Sequence, residues 1–159
     1  MFLSIASIAL MGVLVLNMNK SYIEVSDKAL YQSDYAIDAI SICESYVELA
    51  IGKAYDEQTI ISATSDLNSL TDKSDLGPDS PEGHNKFYDF NDFDDFNDYK
   101  DTVNTDRGTF TVSINVRYVD PSNLSKTNVN KSWSKLMTVT VTSQYLDRPV
   151  YMQYIYSYF

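Results

Sequence analysis

The first 19 residues contain no charged side chain, and they limit how the chain can fold more than any other segment. The run MFLSIASIALMGVLVL is followed by three uncharged residues before the first charge, Lys20. As a helix, 19 residues extend about 28 Å, which is close to the hydrocarbon thickness of a bilayer. A helix that is apolar on every side must be enclosed, and a chain of 159 residues is too small to enclose it alone.

Three interpretations of this segment compete. A cleaved secretory signal would begin with a basic residue and end at a small-residue cleavage site, and the segment shows neither feature. A buried core helix would need a larger protein around it. We therefore predict that residues 1–19 lie in a membrane or are buried by other copies of the chain.

The helical pattern continues well beyond the apolar run. Residues 21–55 contain no proline and a single glycine, Gly52. Small and apolar residues recur at alternating spacings of four and three, which is the helical period. They are Ala29, Ser33, Ala36, Ile40, Cys43, Val47, Ala50 and Ala54. We predict one helix over residues 1–55, about 80 Å long, whose first half projects from the head. Its second half is predicted to pack on the head through four side chains, Ala36, Ile40, Cys43 and Val47.

Residues 56–107 are predicted to connect the helix to a sheet. Proline and glycine in DKSDLGPDSPEGHNK indicate a loop, and we interpret the single histidine, His84, as a surface residue of that loop. The stretch FYDFNDFDDFNDYKD, residues 87–101, then places aromatic rings at every third position, with carboxylates between them. We expect the aromatic rings of this acidic-aromatic segment to pack against the head and its carboxylates to be exposed to water.

The same carboxylates are candidates for binding a hard cation such as calcium, which prefers oxygen ligands. Their spacing differs from that of an EF-hand, which has glycine at its sixth loop position and glutamate at its twelfth. We therefore predict that the segment binds no cofactor, with calcium binding as the alternative. The candidate ligands are Asp92, Asp94, Asp95 and Asp98.

Residues 108–159 are predicted to form an antiparallel sheet. Between Thr109 and Val119 apolar and polar residues alternate with period two, which is typical of a half-buried strand. Further strands are predicted at 135–145 and 150–159, and the last is apolar on both faces and so should be covered on both. The second half of the helix has the right length to cover the sheet, so the predicted fold is α+β.

Charge and composition argue against several classes of function. The net charge of −10 disfavours nucleic acid, because phosphate would be repelled. A lone cysteine, Cys43, excludes an intrachain disulfide and a multi-cysteine zinc site, and its place on the helical stripe indicates a small core residue. One histidine, no glycine-rich phosphate loop and no nucleophile–base pair argue against an enzyme.

The charge is also unevenly distributed along the chain. Residues 108–159 hold five basic and two acidic side chains, a net charge of +3, so the rest of the chain is strongly acidic. This asymmetry favours either head-to-tail contacts between copies or simple solubility. In the loop expected after the first strand, Asn123-Leu124-Ser125 and Asn130-Lys131-Ser132 match the N-glycosylation acceptor pattern. Asn123 and Asn130 are therefore candidates for carrying a sugar if the source cell glycosylates.

The order of these parts resembles the type IV pilin and pseudopilin superfamily. Its members have an apolar helix half that packs in a filament core, an amphipathic half behind the head, a variable loop and an antiparallel sheet. The segment Phe93-Asp94-Asp95-Phe96-Asn97-Asp98-Tyr99, followed by a strand, is similar to the acidic-aromatic segment that precedes the sheet in many bacterial pilin-like proteins. This chain has Ile5 where family members usually carry a glutamate, and its apolar half lacks their helix-breaking proline.

The resemblance implies a structural subunit of an extracellular type IV pilus-like filament with a role in cell adhesion. Such a subunit is inserted in the inner membrane before assembly and then binds copies of itself. The polymerisation core that this implies is Phe2, Leu3, Ile5, Ile8, Leu10, Val13, Leu14 and Leu16. Two alternatives stay open, namely a minor pilin or secretion-system pseudopilin, and a single-pass membrane protein whose head binds a ligand.

Overall fold

The computed structural model describes residues 2–80, 82–83, 86–126 and 129–159, without the side chains of residues 2–9 and 25. In this part of the chain, one long helix packs against a four-stranded antiparallel sheet, which confirms the predicted α+β fold. The elements are α1 (Phe2–Ile51), β1 (Lys100–Thr105), β2 (Gly108–Tyr118), β3 (Ser134–Thr142) and β4 (Val150–Ser157), with the strands side by side in that order. Short 3₁₀ turns lie at Glu57–Thr59, Leu67–Ser69 and Asp94–Phe96.

Helix α1 is unbroken over 50 residues, which corresponds to a length of about 75 Å. It ends at Ile51 because Gly52 follows, and because the next residues make tertiary hydrogen bonds in place of helical ones. The Ala54 N–H donates to the Asn91 carbonyl at 3.2 Å, and the Ala54 carbonyl accepts from the Phe93 N–H at 2.9 Å. The predicted helix end at residue 55 is therefore slightly too late.

The sheet is held together by apolar pairs across its central strands. Every second side chain of β2, from Phe110 to Tyr118, is buried. The register places Val112 opposite Val141 and Ile114 opposite Val139. The alternation predicted for β2 is confirmed, with the bounds of the strand shifted by one residue.

Strand β1 is missing from the sequence-based prediction, which assigns its residues to the connecting region. Its sequence, KDTVNT, has Val103 as its only large apolar residue, so no alternating pattern reveals it. The strand is instead defined by pairing across a tight turn, since Thr105 lies opposite Gly108 and Lys100 opposite Ser113. The sheet therefore begins eight residues earlier than predicted.

Helix α1 contacts the sheet through a face of small, apolar and aromatic side chains. The buried positions are Ala39, Ile42, Cys43, Tyr46, Val47 and Ala50. Of the four side chains predicted to pack here, Cys43 and Val47 are buried and Ala36 is half-buried. The prediction for Ile40 is wrong, because its side chain is 43% exposed. The buried face is centred on Ala39 and Cys43, and a step of one residue turns a helical side chain away by about 100°.

Strand β4 covers the core with one face only. Met152 and Tyr156 pack against the core, whereas Tyr151 is 67% exposed on the opposite face. The sequence predicts that both faces of this strand are covered, and in a single copy of the chain the outer face is open. Tyr151 is therefore available to a neighbouring molecule.

Candidate functional site

Helix α1 projects beyond the head for more than half of its length. Every described side chain from Leu10 to Tyr31 is exposed. The head begins at the next residue, where the Gln32 amide donates to the Tyr145 carbonyl at 2.8 Å. One turn later the ring of Tyr35 stacks on that of Tyr145, with centroids 4.9 Å apart and planes inclined by 11°. The projecting part therefore extends about 45 Å.

The outer part of this projection is apolar on every side. Between residues 10 and 18, large apolar side chains are each more than half exposed: Leu10, Met11, Val13, Leu14, Val15, Leu16 and Met18. Consecutive helical residues point about 100° apart, so the run from Val13 to Leu16 covers the whole circumference. Residues 10–18 are termed the apolar girdle below. Exposed apolar surface of this extent marks a site of contact with a partner or a membrane.

Half of the predicted polymerisation core lies in the apolar girdle, namely Leu10, Val13, Leu14 and Leu16. The side chains of the other half, Phe2, Leu3, Ile5 and Ile8, lie outside those that the structure describes. Among the described residues, no helical segment is both long enough and apolar enough to cross a membrane. Charge begins at Lys20, whose ammonium lies 3.8 Å from the carboxylate of Glu24 one turn further on.

The acidic-aromatic segment behaves only partly as predicted. Its rings are pinned in the core as expected, and the buried ones are Phe90, Phe93, Phe96 and Tyr99. The expectation that its acids remain in water is wrong for Asp92, Asp94 and Asp95, each of which is 2% exposed. Asp98 is exposed and has a positive φ of 58°.

The buried acids of this segment accept hydrogen bonds from its own backbone. Asp92 Oδ1 accepts from the N–H groups of Asp94 and Asp95 at 2.8 and 3.2 Å. Asp95 Oδ2 accepts from the N–H groups of Asn91 and Asp92 at 2.8 and 2.9 Å. These bonds explain why aspartate recurs here, since a carboxylate can fold a tight turn around itself. In the described part of the chain, no group of three or more His, Cys, Asp or Glu residues is arranged to hold a metal ion.

Lys135, near the start of β3, is fully buried among carboxylates. Its ammonium donates to Asp56 Oδ2 at 2.8 Å and to the Tyr55 carbonyl at 2.9 Å, and it contacts Asp94 Oδ1. The rings of Tyr55 and Tyr118 lie near the ammonium, with centroids at 4.6 and 5.3 Å. Asp56, Asp94 and Lys135 are termed the buried junction, because they join the segment after α1, the acidic-aromatic segment and the sheet.

The buried junction was not predicted from the sequence, although the sequence contains one signal for it. Lys135 has the same parity along β3 as Met137, Val139 and Val141, all of which are buried. Side chains of one parity in a strand share a face, so Lys135 had to point inward. A buried ammonium needs acidic partners, and the predicted strand could have prompted a search for them.

The buried junction shifts the pKa values of nearby carboxyl groups in opposite directions. Burial and the charges of Asp94 and Asp95 raise the pKa of Asp92 to about 9. Burial raises the pKa of Asp94 to about 6, against the lowering effect of Lys135. Burial alone would raise the pKa of Asp56. The pKa is nevertheless held below its usual range, by the charge and hydrogen bond of Lys135 and by backbone N–H donors. At neutral pH Asp92 therefore carries a proton, whereas Asp56 is ionised.

The remaining predicted residues lie apart from these two sites. Cys43 donates weakly to the Val139 carbonyl at 3.9 Å, and burial raises the pKa of its thiol to about 11, which suits a small core residue. Asn123 and Asn130, the candidates for glycosylation, are both exposed between β2 and β3. His84, predicted to lie in a surface loop, falls outside the described residues.

No protein-family model, no curated protein and no solved structure matches this chain. The chain itself offers two candidate functional features, the apolar girdle on the projecting helix and the buried junction inside the head.

Proposed function

We propose that the chain is a structural subunit of a type IV pilus-like filament, which polymerises through the projecting part of α1. The observation that carries this proposal is the apolar girdle, which is exposed on every side of a helix that extends about 45 Å past the head. Such a surface needs an enclosure that a single copy does not supply. A bundle of identical helices supplies it, because each helix then covers its neighbours.

The size of the apolar girdle favours several neighbours over one. Burying a large apolar side chain that is fully exposed contributes roughly 1.5–3 kcal/mol. The side chains of the girdle are between 52% and 73% exposed, so burying all seven contributes about 6–13 kcal/mol. Association costs about 4–15 kcal/mol in lost freedom. A single neighbour covers only part of the circumference and is marginal, whereas a filament surrounds the helix.

The charge asymmetry of the chain supports an ordered stack. Asp34, Glu44 and Glu48 are exposed on the part of α1 that packs on the head, while Lys126 and Arg148 are exposed in the basic C-terminal third. A neighbour that placed its basic C-terminal third against this acidic side of α1 would gain electrostatic guidance in encounter and orientation. Such contacts weaken with salt, so assembly should be faster at low ionic strength.

In the cell, the proposed subunit is held in the membrane by its apolar helix before assembly and lies outside the cell afterwards. The head then forms the outer surface of the filament, where it can contact other surfaces and serve adhesion. The open face of β4, which carries Tyr151, is part of that head.

Electron microscopy of the full chain tests the proposal. After removal of detergent, we expect uniform fibres a few subunits wide, and the same fibres in material sheared from the source cells. A protein that stays monomeric under these conditions would overturn the proposal. Monomers retained in the membrane fraction would favour a membrane-anchored head instead.

A further inference from the structure

The buried junction holds an amine against a carboxyl group where solvent has no access. Lys135 and Asp56 are 0% exposed, and Asp92 and Asp94 are 2% exposed. Lys135 Nζ contacts Asp94 Oδ1, and the Asp92 side chain is hydrogen-bonded to the Asp94 side chain. We propose that Lys135 and Asp94 condense to an intramolecular isopeptide bond, which turns the junction into a covalent cross-link. This inference stands on the head alone and does not depend on the proposed filament.

The reaction balances without an added reagent. The ammonium of Lys135 gives one proton to the carboxylate of Asp94, which leaves an amine and a carboxylic acid. The amine nitrogen then attacks Cγ of Asp94, so that a carbon–nitrogen bond forms and one carbon–oxygen bond breaks. The nitrogen loses a second proton, and the departing oxygen leaves with both protons as water. One ammonium and one carboxylate thus become one amide and one water molecule.

Asp92 is placed to move the proton that this step needs. Burial and neighbouring carboxylates raise its pKa to about 9, so at neutral pH it carries a proton and donates it in the hydrogen bond to Asp94. It can pass this proton to the departing oxygen and recover one from the nitrogen, which is general acid–base catalysis. Its position is fixed, because Asp92 Oδ1 accepts from the N–H groups of Asp94 and Asp95.

Three properties of the site favour the amide over the ion pair. Groups held in contact react as though they were highly concentrated. Condensation removes the charges of Lys135 and Asp94 from an interior where burying charge is costly, and Asp56, which loses its ammonium partner, keeps the N–H donors of Gln58 and Thr71. Tyr55 and Tyr118, each 1% exposed, enclose the ammonium and help to keep out the water that would reverse the reaction.

The amide product has one N–H where the ammonium has three. This N–H can still donate to Asp56 Oδ2, which also accepts from the Thr71 N–H and the Tyr118 hydroxyl, whereas the Tyr55 carbonyl loses the donor that it has in the ion pair. The new amide carbonyl can accept from the protonated Asp92. Buried polar groups are stable when they are paired, and the new amide and Asp56 meet this condition, with the bond to the Tyr55 carbonyl as the one that is given up.

Intact-mass spectrometry of the folded, full-length wild-type chain is the deciding measurement. We expect a mass lower than the sequence mass by one water molecule. Digestion with trypsin should leave the chain uncut at Lys135 and should yield one branched peptide that joins Lys135 to Asp94. An unshifted mass would overturn the proposal, and so would a loss of water that maps to any other pair of residues, Asp56 with Lys135 included.

Substitutions locate the bond and its proton carrier. Lys135→Met should show the unmodified mass, and Asp94→Asn should lose ammonia or nothing, because an amide releases ammonia on condensation. Asp92→Asn keeps the oxygen that accepts from the two backbone N–H groups but has no acidic proton, so its cross-linking should be about 100-fold slower or more. Loss of water from Asp94→Asn, or cross-linking of Asp92→Asn at the wild-type rate, would contradict the assigned roles. The wild-type mass decides the main question even if a variant fails to fold.

Discussion

Asp56 and Lys135 face each other at 2.8 Å, and neither side chain is exposed to solvent. Asp56 also accepts the N–H of Gln58, which caps the first 3₁₀ turn after α1, and the N–H of Thr71 fifteen residues further on. One carboxylate therefore organises the chain after the helix and anchors it to the sheet. Its removal would leave several buried donors without an acceptor.

In the junction before Lys135 and Asp94 condense, we expect Asp56→Ala to destabilise the head by roughly 3–5 kcal/mol, because it breaks a buried ion pair. Asp72→Ala is the matched control, since Asp72 lies 2.8 Å from Lys131 but its side chain is 68% exposed. Exposed pairs contribute about 0–1 kcal/mol, so this change should be nearly neutral. Urea denaturation followed by circular dichroism measures both free energies of unfolding. Equal effects of the two substitutions would mean that the junction does not stabilise the fold.

In the ion-paired form of the junction, the raised pKa of Asp92 predicts that stability falls as the pH rises. A carboxyl group with a higher pKa in the folded state binds its proton more tightly there than in the unfolded chain. For Asp92 the folded value is about 9, so its stabilising effect is complete below about pH 4 and is lost as the pH approaches 9. The pKa of Asp56 is shifted in the opposite direction. Its stabilising effect is therefore present above the usual aspartate pKa and is lost as the pH falls below that value.

Urea midpoints measured at about pH 5, 7 and 9 test this dependence. Asp92→Asn removes the titrating proton, so the decline between pH 5 and 9 should become shallower in this variant. Asp89→Asn, at an exposed position of the same segment, should keep the wild-type decline. A wild-type midpoint that rises over this range would show that Asp92 is ionised in the folded protein.

The face of α1 that packs on the sheet can be tested with two identical substitutions. Ile42 is 8% exposed and Ile40 is 43% exposed, although the sequence pattern favours Ile40 as the packed residue. Ile42→Ala should destabilise by about 2–4 kcal/mol, as expected for a buried isoleucine, and Ile40→Ala by about 1 kcal/mol or less. Both changes affect helix propensity equally, so thermal or urea unfolding isolates the packing. The reverse order of effects would place the sheet on the other side of the helix.

A single charge in the apolar girdle should block assembly. Val13→Asp places a carboxylate where the proposed filament buries apolar side chains, and an unpaired buried charge is costly. Ser33→Asp is the control, because it introduces the same charge at an exposed position of the same helix outside the girdle. Fibre length in electron micrographs and the sedimented fraction measure assembly. Normal fibres from Val13→Asp would rule out the girdle as the contact surface.

Sequence patterns predicted the elements that have strong periodicity. They did not predict strand β1 or the buried carboxylates, both of which depend on tertiary contacts. Strand β2 alternates cleanly and was located within one residue, whereas β1 has little apolar character and forms because β2 offers it a partner. The aromatic spacing of the acidic-aromatic segment correctly indicated buried rings. The burial of Asp94 could not be read from that spacing, because it depends on Lys135 arriving from a strand 41 residues later.

The place where the chain leaves α1 determines how a pulled subunit would carry load. Tension along the projecting helix enters the head at the stacked pair Tyr35 and Tyr145, and passes down the buried face to Ile51. Five residues later it meets Asp56, whose partner Lys135 belongs to β3, an inner strand of the sheet. Force therefore reaches β3, which is supported by a strand on either side, as well as the edge strand β4, on which α1 also packs.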